Sequence, residues 1–175
     1  TTTDSETLTY DYIVNAAGPW AGKLLRDNNI QSNFEMSLVR GSHLIVNLKI
    51  QNPLVLQNVK DKRIVFMLPL DNGCLLGTTE YTHNIKDPIT CTPIERDYLL
   101  EIANAYLKKQ LTLKDVISDY AGVRPLVFDS SDQDVSKINR DSATEFNQSL
   151  INIFGGKWTS GPSLGEKVSD MIESR

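Results

Sequence analysis

Two apolar runs, Arg63 to Leu70 and Cys74 to Thr79, are separated only by Asp71-Asn72-Gly73. This spacing constrains the fold more than any other feature of the chain. Asn and Gly tolerate the backbone conformations that a tight turn demands, so the runs read as neighbouring antiparallel strands. A sheet in the middle of the chain follows, and His43 to Leu48 adds a strand to it. Tyr10 to Val14 reads as a shorter strand, rich in aromatic and β-branched residues, that ends in Asn15-Ala16-Ala17-Gly18-Pro19-Trp20. Proline suits the first turn of a helix, where its missing N–H costs nothing. A helix is therefore expected from Trp20 to about Asp27, with Leu24 and Leu25 facing inward.

Thr92, Pro93 and Glu95 have the pattern of an N-cap, a first helical position and a capping box. Ile94, Tyr98, Ile102 and Tyr106 recur at four-residue spacing, which predicts one buried stripe on a helix ending near Lys109. Lys108 and Lys109 suit a helix C-terminus. Val116 to Tyr120 and Val123 to Phe128 are strand-like, interrupted by Gly122 and Pro125. A polar loop, Asp129 to Ser136, precedes two further strands, Ile138 to Glu145 and Leu150 to Phe154. Gly155 to Gly161 reads as a loop, and Pro162 opens a last helix with Leu164, Val168 and Ile172 on one face. The pattern is α+β, with a largely antiparallel or mixed sheet and flanking helices.

The chain has 175 residues, of which 40% are hydrophobic, enough for one ordinary core. A net charge of -4 gives no electrostatic reason to expect nucleic acid as a partner. Cys74 and Cys91 stand far apart without metal-ligand spacing, so two inert, reduced thiols and no metal are expected. No apolar run is long enough to span a bilayer as a helix. The chain opens Thr1-Thr2-Thr3 and reaches a strand by Tyr10, as an internal piece of a longer protein would.

Five segments could carry chemistry. The small residues of Val14-Asn15-Ala16-Ala17-Gly18 serve either a tight turn or the close approach of a flat ligand. His43, after Gly41 and Ser42, either caps a strand or moves a proton near neutral pH. The other histidine, His83, reads as a surface residue. Arg124 lies in the apolar run Gly122-Val123-Arg124-Pro125-Leu126, and a buried guanidinium needs an anion. That anion could be a protein carboxylate, a substrate phosphate or a flavin oxygen. Arg140 has Asp141 beside it, although neighbours on a strand point to opposite faces. Gly155-Gly156-Lys157 leaves backbone N–H groups open to an anion, but it is not a P-loop.

Taken in order, these segments resemble the FAD-dependent glycerol-3-phosphate dehydrogenases. The matching residues are Val14 to Trp20, Gly41-Ser42-His43, Lys62 to Phe66, Pro69, Gly77-Thr78-Thr79 and Lys108 to Leu111. They continue with Gly122 to Leu126, Arg140-Asp141 and Phe154-Gly155-Gly156-Lys157. The similarity runs through nearly the whole chain from about Tyr10.

The resemblance implies the substrate-binding domain of an amino-acid-oxidase-like flavoenzyme (residues 36–150). It implies remnants of the FAD-binding domain at 1–35 and 151–175. The implied reaction oxidises sn-glycerol 3-phosphate to dihydroxyacetone phosphate, with electrons passed to quinone. By the same resemblance His43 and Arg124 are catalytic, and Arg124, Arg140 and Lys157 hold substrate. Asn15, Ala16, Ala17 and Gly18 contact the cofactor, as do Gly155, Gly156, Lys157 and Thr159. A cytoplasmic enzyme, peripheral to the inner membrane, is implied, and a homodimer is compatible with it.

The chain departs from the family pattern at Arg40, where Lys is usual, and at Glu80, where Asp is usual. It departs again after Lys157, where Leu-Thr-Thr-Tyr-Arg gives way to Trp158-Thr159-Ser160-Gly161-Pro162. The Gly-x-Gly-x-x-Gly fingerprint of FAD is absent from these residues. The 175-residue chain alone is therefore expected to bind FAD weakly and to be inactive. The alternatives are an FAD-dependent amine or amino-acid oxidase, with Arg124 holding a carboxylate, and a non-catalytic phosphometabolite-binding module.

Overall fold

The computed structural model describes residues 8–129 and 142–174. In chain order they form β1 (Ile13–Asn15), α1 (Ala21–Asp27), β2 (Phe34–Val46), β3 (Leu54–Gln57), β4 (Ile64–Leu70) and β5 (Gly73–Gly77). β6 (Tyr81–Thr82), α2 (Pro93–Asn104), β7 (Val116–Asp129), β8 (Ser142–Asn147), β9 (Leu150–Gly155) and α3 (Gly161–Glu173) follow. The fold is α+β with a mixed sheet, as the sequence pattern requires. The chain divides into two compact units, one of residues 1–37 and 125–175 and the other of residues 38–124. Residues 125–129 and 142–150, assigned above to the middle region, thus group with the two ends.

In the first unit β1, β9 and β8 form a three-stranded sheet in that order. β1 runs parallel to β9, with Asn15 opposite Asn152, and β8 is antiparallel to β9. Ala21 and Leu25 of α1 pack with Val127 and Phe154. Phe34 tilts against Phe154, with ring centroids 5.7 Å apart. Leu25 points inward as expected, but Leu24 is 38% exposed. A seven-residue helix lying on one small sheet has room for only one of two adjacent leucines on its inner face. In α3 the expected face holds, with Val168 buried and Leu164 and Ile172 partly covered.

The second unit is built on a sheet ordered β3-β4-β5-β2-β6, with β7 pairing β2 off that path. The Asp71-Asn72-Gly73 hairpin forms as expected, pairing Leu70 with Gly73 and Phe66 with Gly77. β3 and β6 had no strong sequence signal; each is short and owes its extended form to its neighbour in the sheet. β7 is one strand where two had been expected. Neither Gly122 nor Pro125 ends it, since proline is tolerated where the ladder does not use its N–H.

Helix α2 shows the clearest difference from expectation. The capping box forms: the Thr92 side chain accepts from Glu95 N, and Glu95 in turn accepts from Thr92 N. Ile94 and Tyr106, however, are 69% and 51% exposed. Tyr98 and Ile102 do face the core, and Glu95, Leu99, Leu100 and Ala103 complete the buried face. By closing the box, Glu95 turns inward, and the buried stripe rotates by one position. The helix stops at Asn104 because its side chain leaves the helical pattern: Nδ2 donates to Leu111 O at 2.9 Å, and Oδ1 accepts from Leu111 N at 2.7 Å. Leu99, Leu100, Ile102 and Ala103 join Leu44, Val46, Val65, Met67 and Leu76 in this unit's core. Among the described residues no helix is long and apolar enough to cross a membrane.

Candidate functional site

His43 and Arg124 lie in the same unit. His43 sits on β2 opposite Gly77 of β5. Its ring stacks on that of Tyr120 in β7, with centroids 4.9 Å apart and planes within 10°. A Cβ on Gly77 would stand 2.2 Å from His43 Cδ2, inside any real contact distance. Gly77 is thus a glycine because the imidazole occupies the space of its side chain. The replacement Gly77→Ala is expected to cost about 1–3 kcal/mol through overpacking. A urea-unfolding midpoint equal to that of the wild type would show that the ring is not held there.

Nδ1 of His43 is buried with no hydrogen-bond partner among the described residues. Among the described residues no carboxylate or carbonyl stabilises a second ring proton at that atom. Burial, and then the nearby charge of Arg124, hold the imidazole below its ordinary pKa of 6.5. Both effects disfavour the charged form. At neutral pH the ring is neutral and able to accept a proton.

Arg124 differs from the fully buried cation expected, because its side chain is 41% exposed. Nη2 donates to Thr78 Oγ1 at 3.1 Å, and Nη1 faces Glu80 Oε1 at 3.6 Å. So a protein carboxylate is present, but at a distance and exposure where ion pairs contribute little. An incoming anion can compete for the fork. Gly41 makes room for this arrangement: a Cβ there would lie 2.5 Å from Thr78 Oγ1 and 2.8 Å from Arg124 Nη2. His83, expected at the surface, is 6% exposed, and neither ring nitrogen has a partner among the described residues. Its backbone N–H donates to Leu38 O at 2.8 Å, drawing the segment after β6 onto β2.

The other predicted residues belong to the first unit. Asn15 and Gly155 end the parallel strands β1 and β9, and ligands of open α/β sheets gather at such carboxyl ends. The Asn15 side chain is spent internally. Nδ2 donates to Asn152 Oδ1 at 2.9 Å and to Ala21 O at 3.3 Å, while Oδ1 accepts from Ala17 N at 3.3 Å. Asn15 therefore shapes the Ala16-Ala17-Gly18 turn, and any ligand contact falls to the backbone around it. Gly155 and Gly156 have φ of 68° and 94°, a region that suits glycine. Space is not the reason at Gly156, where a Cβ would meet only ordinary contacts. Lys157 and Thr159 are exposed, and Trp158 is 98% exposed. Arg140 lies outside the described residues.

Sequence reasoning passed over Gly41, Gly77, Thr78 and Tyr120 as parts of the site. The two glycines were visible as motif members, but their reason is steric and crosses between strands. Tyr120 gave no signal beyond strand propensity.

A family model described as FAD dependent oxidoreductase matches residues 1–171. The glycerol-3-phosphate dehydrogenase of Pseudomonas tolaasii is 41% identical over 169 residues, which cover 89% of this chain and 32% of that protein. The aerobic glycerol-3-phosphate dehydrogenase of Escherichia coli K12 is 35% identical over 170 residues, 91% of this chain and 34% of that protein. Among solved structures, the glycerol-3-phosphate dehydrogenase of Bacillus halodurans complexed with FAD superposes with a TM-score of 0.80 at 29% identity. That match covers 93% of this chain and 32% of the other. The chain thus spans about a third of the length of these relatives. With the family model matching residues 1–171, the chain belongs to the FAD dependent oxidoreductase family.

Proposed function

We propose that this chain forms part of an FAD-dependent dehydrogenase that oxidises sn-glycerol 3-phosphate to dihydroxyacetone phosphate. The observation that carries the reading is the pairing of a neutral, half-buried imidazole, His43, with the partly exposed guanidinium of Arg124. Oxidising a secondary alcohol requires a base for the hydroxyl proton and a cation for the substrate anion. His43 takes the proton of the C2 hydroxyl as the C2–H bond breaks and the carbonyl forms. Arg124 exchanges its loose contact with Glu80 for the substrate. The family resemblance alone assigns Arg140 and Lys157 to the phosphate dianion. The names of the relatives from Pseudomonas tolaasii and Escherichia coli favour the phosphorylated alcohol over an amino acid.

The backbone at the ends of β1 and β9 suits a flat cofactor. Ala16, Ala17, Gly18, Gly155 and Gly156 carry little or no side chain, and Gly18, Gly155 and Gly156 hold the open φ of glycine. Bound FAD supplies the two-electron acceptor for the hydride that leaves C2. Residues 1–35 and 151–175 serve the cofactor in this reading, and the middle of the chain serves the substrate. Transfer onward to quinone, at the inner face of the cytoplasmic membrane, extends the reading on the resemblance alone.

The test is turnover by the full-length protein, with glycerol 3-phosphate against glycine and sarcosine, followed by flavin bleaching. Glycerol 3-phosphate alone is expected to bleach it, and bleaching by either amine instead would overturn the reading. The 175-residue chain by itself is expected to purify colourless and inactive, because it lacks the Gly-x-Gly-x-x-Gly fingerprint.

A further inference from the structure

Glu95 lies in the first turn of α2 and is 0% exposed. One of its oxygens has ordinary structural duties: Oε2 accepts from Thr92 N at 3.1 Å and from Thr92 Oγ1 at 2.7 Å, completing the helix cap. The same oxygen meets Arg40 Nη2 at 2.8 Å. The other oxygen reaches away from the helix. Oε1 accepts from Ser42 Oγ and from Thr79 Oγ1, each at 2.8 Å, with Arg40 Nε at 3.4 Å. Thr79 Oγ1 in turn accepts from Ser42 N at 2.9 Å. One carboxylate oxygen thus joins the residue preceding His43 to the residue following Thr78. Thr78 is the hydroxyl that receives Arg124.

Stability alone does not demand a carboxylate here. A buried charge can often be replaced by apolar side chains at no loss, because removing it from water is expensive. A carboxylate offers what an apolar side chain cannot, namely two oxygens that accept hydrogen bonds from fixed directions. Burial opposes the ionised form, yet the hydroxyls of Thr92, Ser42 and Thr79 and the Thr92 N–H outweigh it and hold the acid at about 2.

We infer that Glu95 is a positioning residue for the oxidation, acting through Ser42 and Thr79 to set where His43 and the Thr78–Arg124 pair stand. The inference rests on the function proposed above, and its test separates the two. Glu95→Gln keeps the size of the side chain but replaces one accepting oxygen with a donor. In the full-length protein with FAD, kcat for glycerol 3-phosphate is expected to fall about 10–100-fold, the scale of a small misplacement of reacting groups. KM is expected to rise as well, because Arg124, which takes the substrate anion, shifts with Thr78. Ile102→Val trims the same helix's buried face without touching the network, so it should lower Tm and leave kcat unchanged.

A readout independent of turnover is the proton NMR spectrum of the full-length protein with FAD, in which the His43 resonances are assigned by their loss in His43→Gln. His43 ring protons, shifted by stacking on Tyr120, should move in Glu95→Gln and stay in Ile102→Val. Should Glu95→Gln fail to fold, Thr79→Val removes one donor to Oε1 without leaving a charge unpaired and gives the same two readouts. Lowered kcat with displaced His43 resonances supports the inference. Wild-type kcat with unmoved resonances overturns it. Displaced resonances in a protein that does not oxidise glycerol 3-phosphate would support the positioning role and overturn the proposed reaction.

Discussion

Replacing His43 by glutamine is expected to lower kcat/KM for glycerol 3-phosphate by about 10²–10⁴-fold near neutral pH, the usual contribution of a placed general base. Glutamine fills much of the same space between Gly77 and Tyr120 and still hydrogen-bonds, but it cannot accept a proton. The pH profile carries the sharper signature. Burial, and then the charge of Arg124, lower the pKa of His43 below 6.5. The active, neutral form therefore persists on the acid side of 6.5, and kcat/KM falls only as pH drops through that lowered value. His43→Gln should lose this limb altogether. Steady-state kinetics across pH on the full-length protein decide the matter, and a variant that keeps both rate and limb would remove His43 from the chemistry.

The second large effect concerns stability. Glu95→Ala is expected to cost about 3–5 kcal/mol, the usual result of removing one partner from a buried ion pair. Arg40, whose side chain is 14% exposed, would be left without its carboxylate, and the hydroxyls of Ser42 and Thr79 without their acceptor. For a chain of this size the loss corresponds to a fall in Tm of about 6–20 °C. The same residue governs acid sensitivity. Its folded-state pKa is about 2 against an ordinary 4.5, so its contribution is fully present above 4.5 and lost as pH falls toward 2. That depression amounts to stability on the order of 3 kcal/mol. Urea midpoints measured from pH 5 to pH 2 should drop steeply for the wild type and much less for Glu95→Ala. Parallel curves for the two proteins would contradict this account.

Glu95 also shows how far local reasoning reaches. Its place in the capping box is legible from Thr92-Pro93-Ile94-Glu95, because a cap depends on residues three apart. The consequence, that the box pulls a charge into the core and rotates the buried stripe off Ile94 and Tyr106, is not. Apolar spacing of four residues fits more than one helix face, and the choice depends on what the helix packs against. Arg124 is a parallel case. Its need for an anion follows from the apolar run around it, but Glu80 and Thr78 come from the link between β5 and β6. His83 looked like a surface residue among polar neighbours until the pairing of β6 with β2 buried it.

What the sequence determined alone is local and ordinal: the Asp71-Asn72-Gly73 hairpin, the Thr92 cap, the strand-to-helix turn after Val14, and the ordered motifs that mark the family. Each rests on backbone preferences acting over a few residues, or on the succession of such segments along the chain. The tertiary structure decided which of those segments share a site. His43 meets Gly77, Tyr120 and Arg124 because β2, β5 and β7 come together in one unit, and Glu95 reaches Ser42 and Thr79 because α2 packs over that sheet. These contacts join residues dozens of positions apart. They are selected by burial of a common core, a property of the whole unit that no short segment encodes.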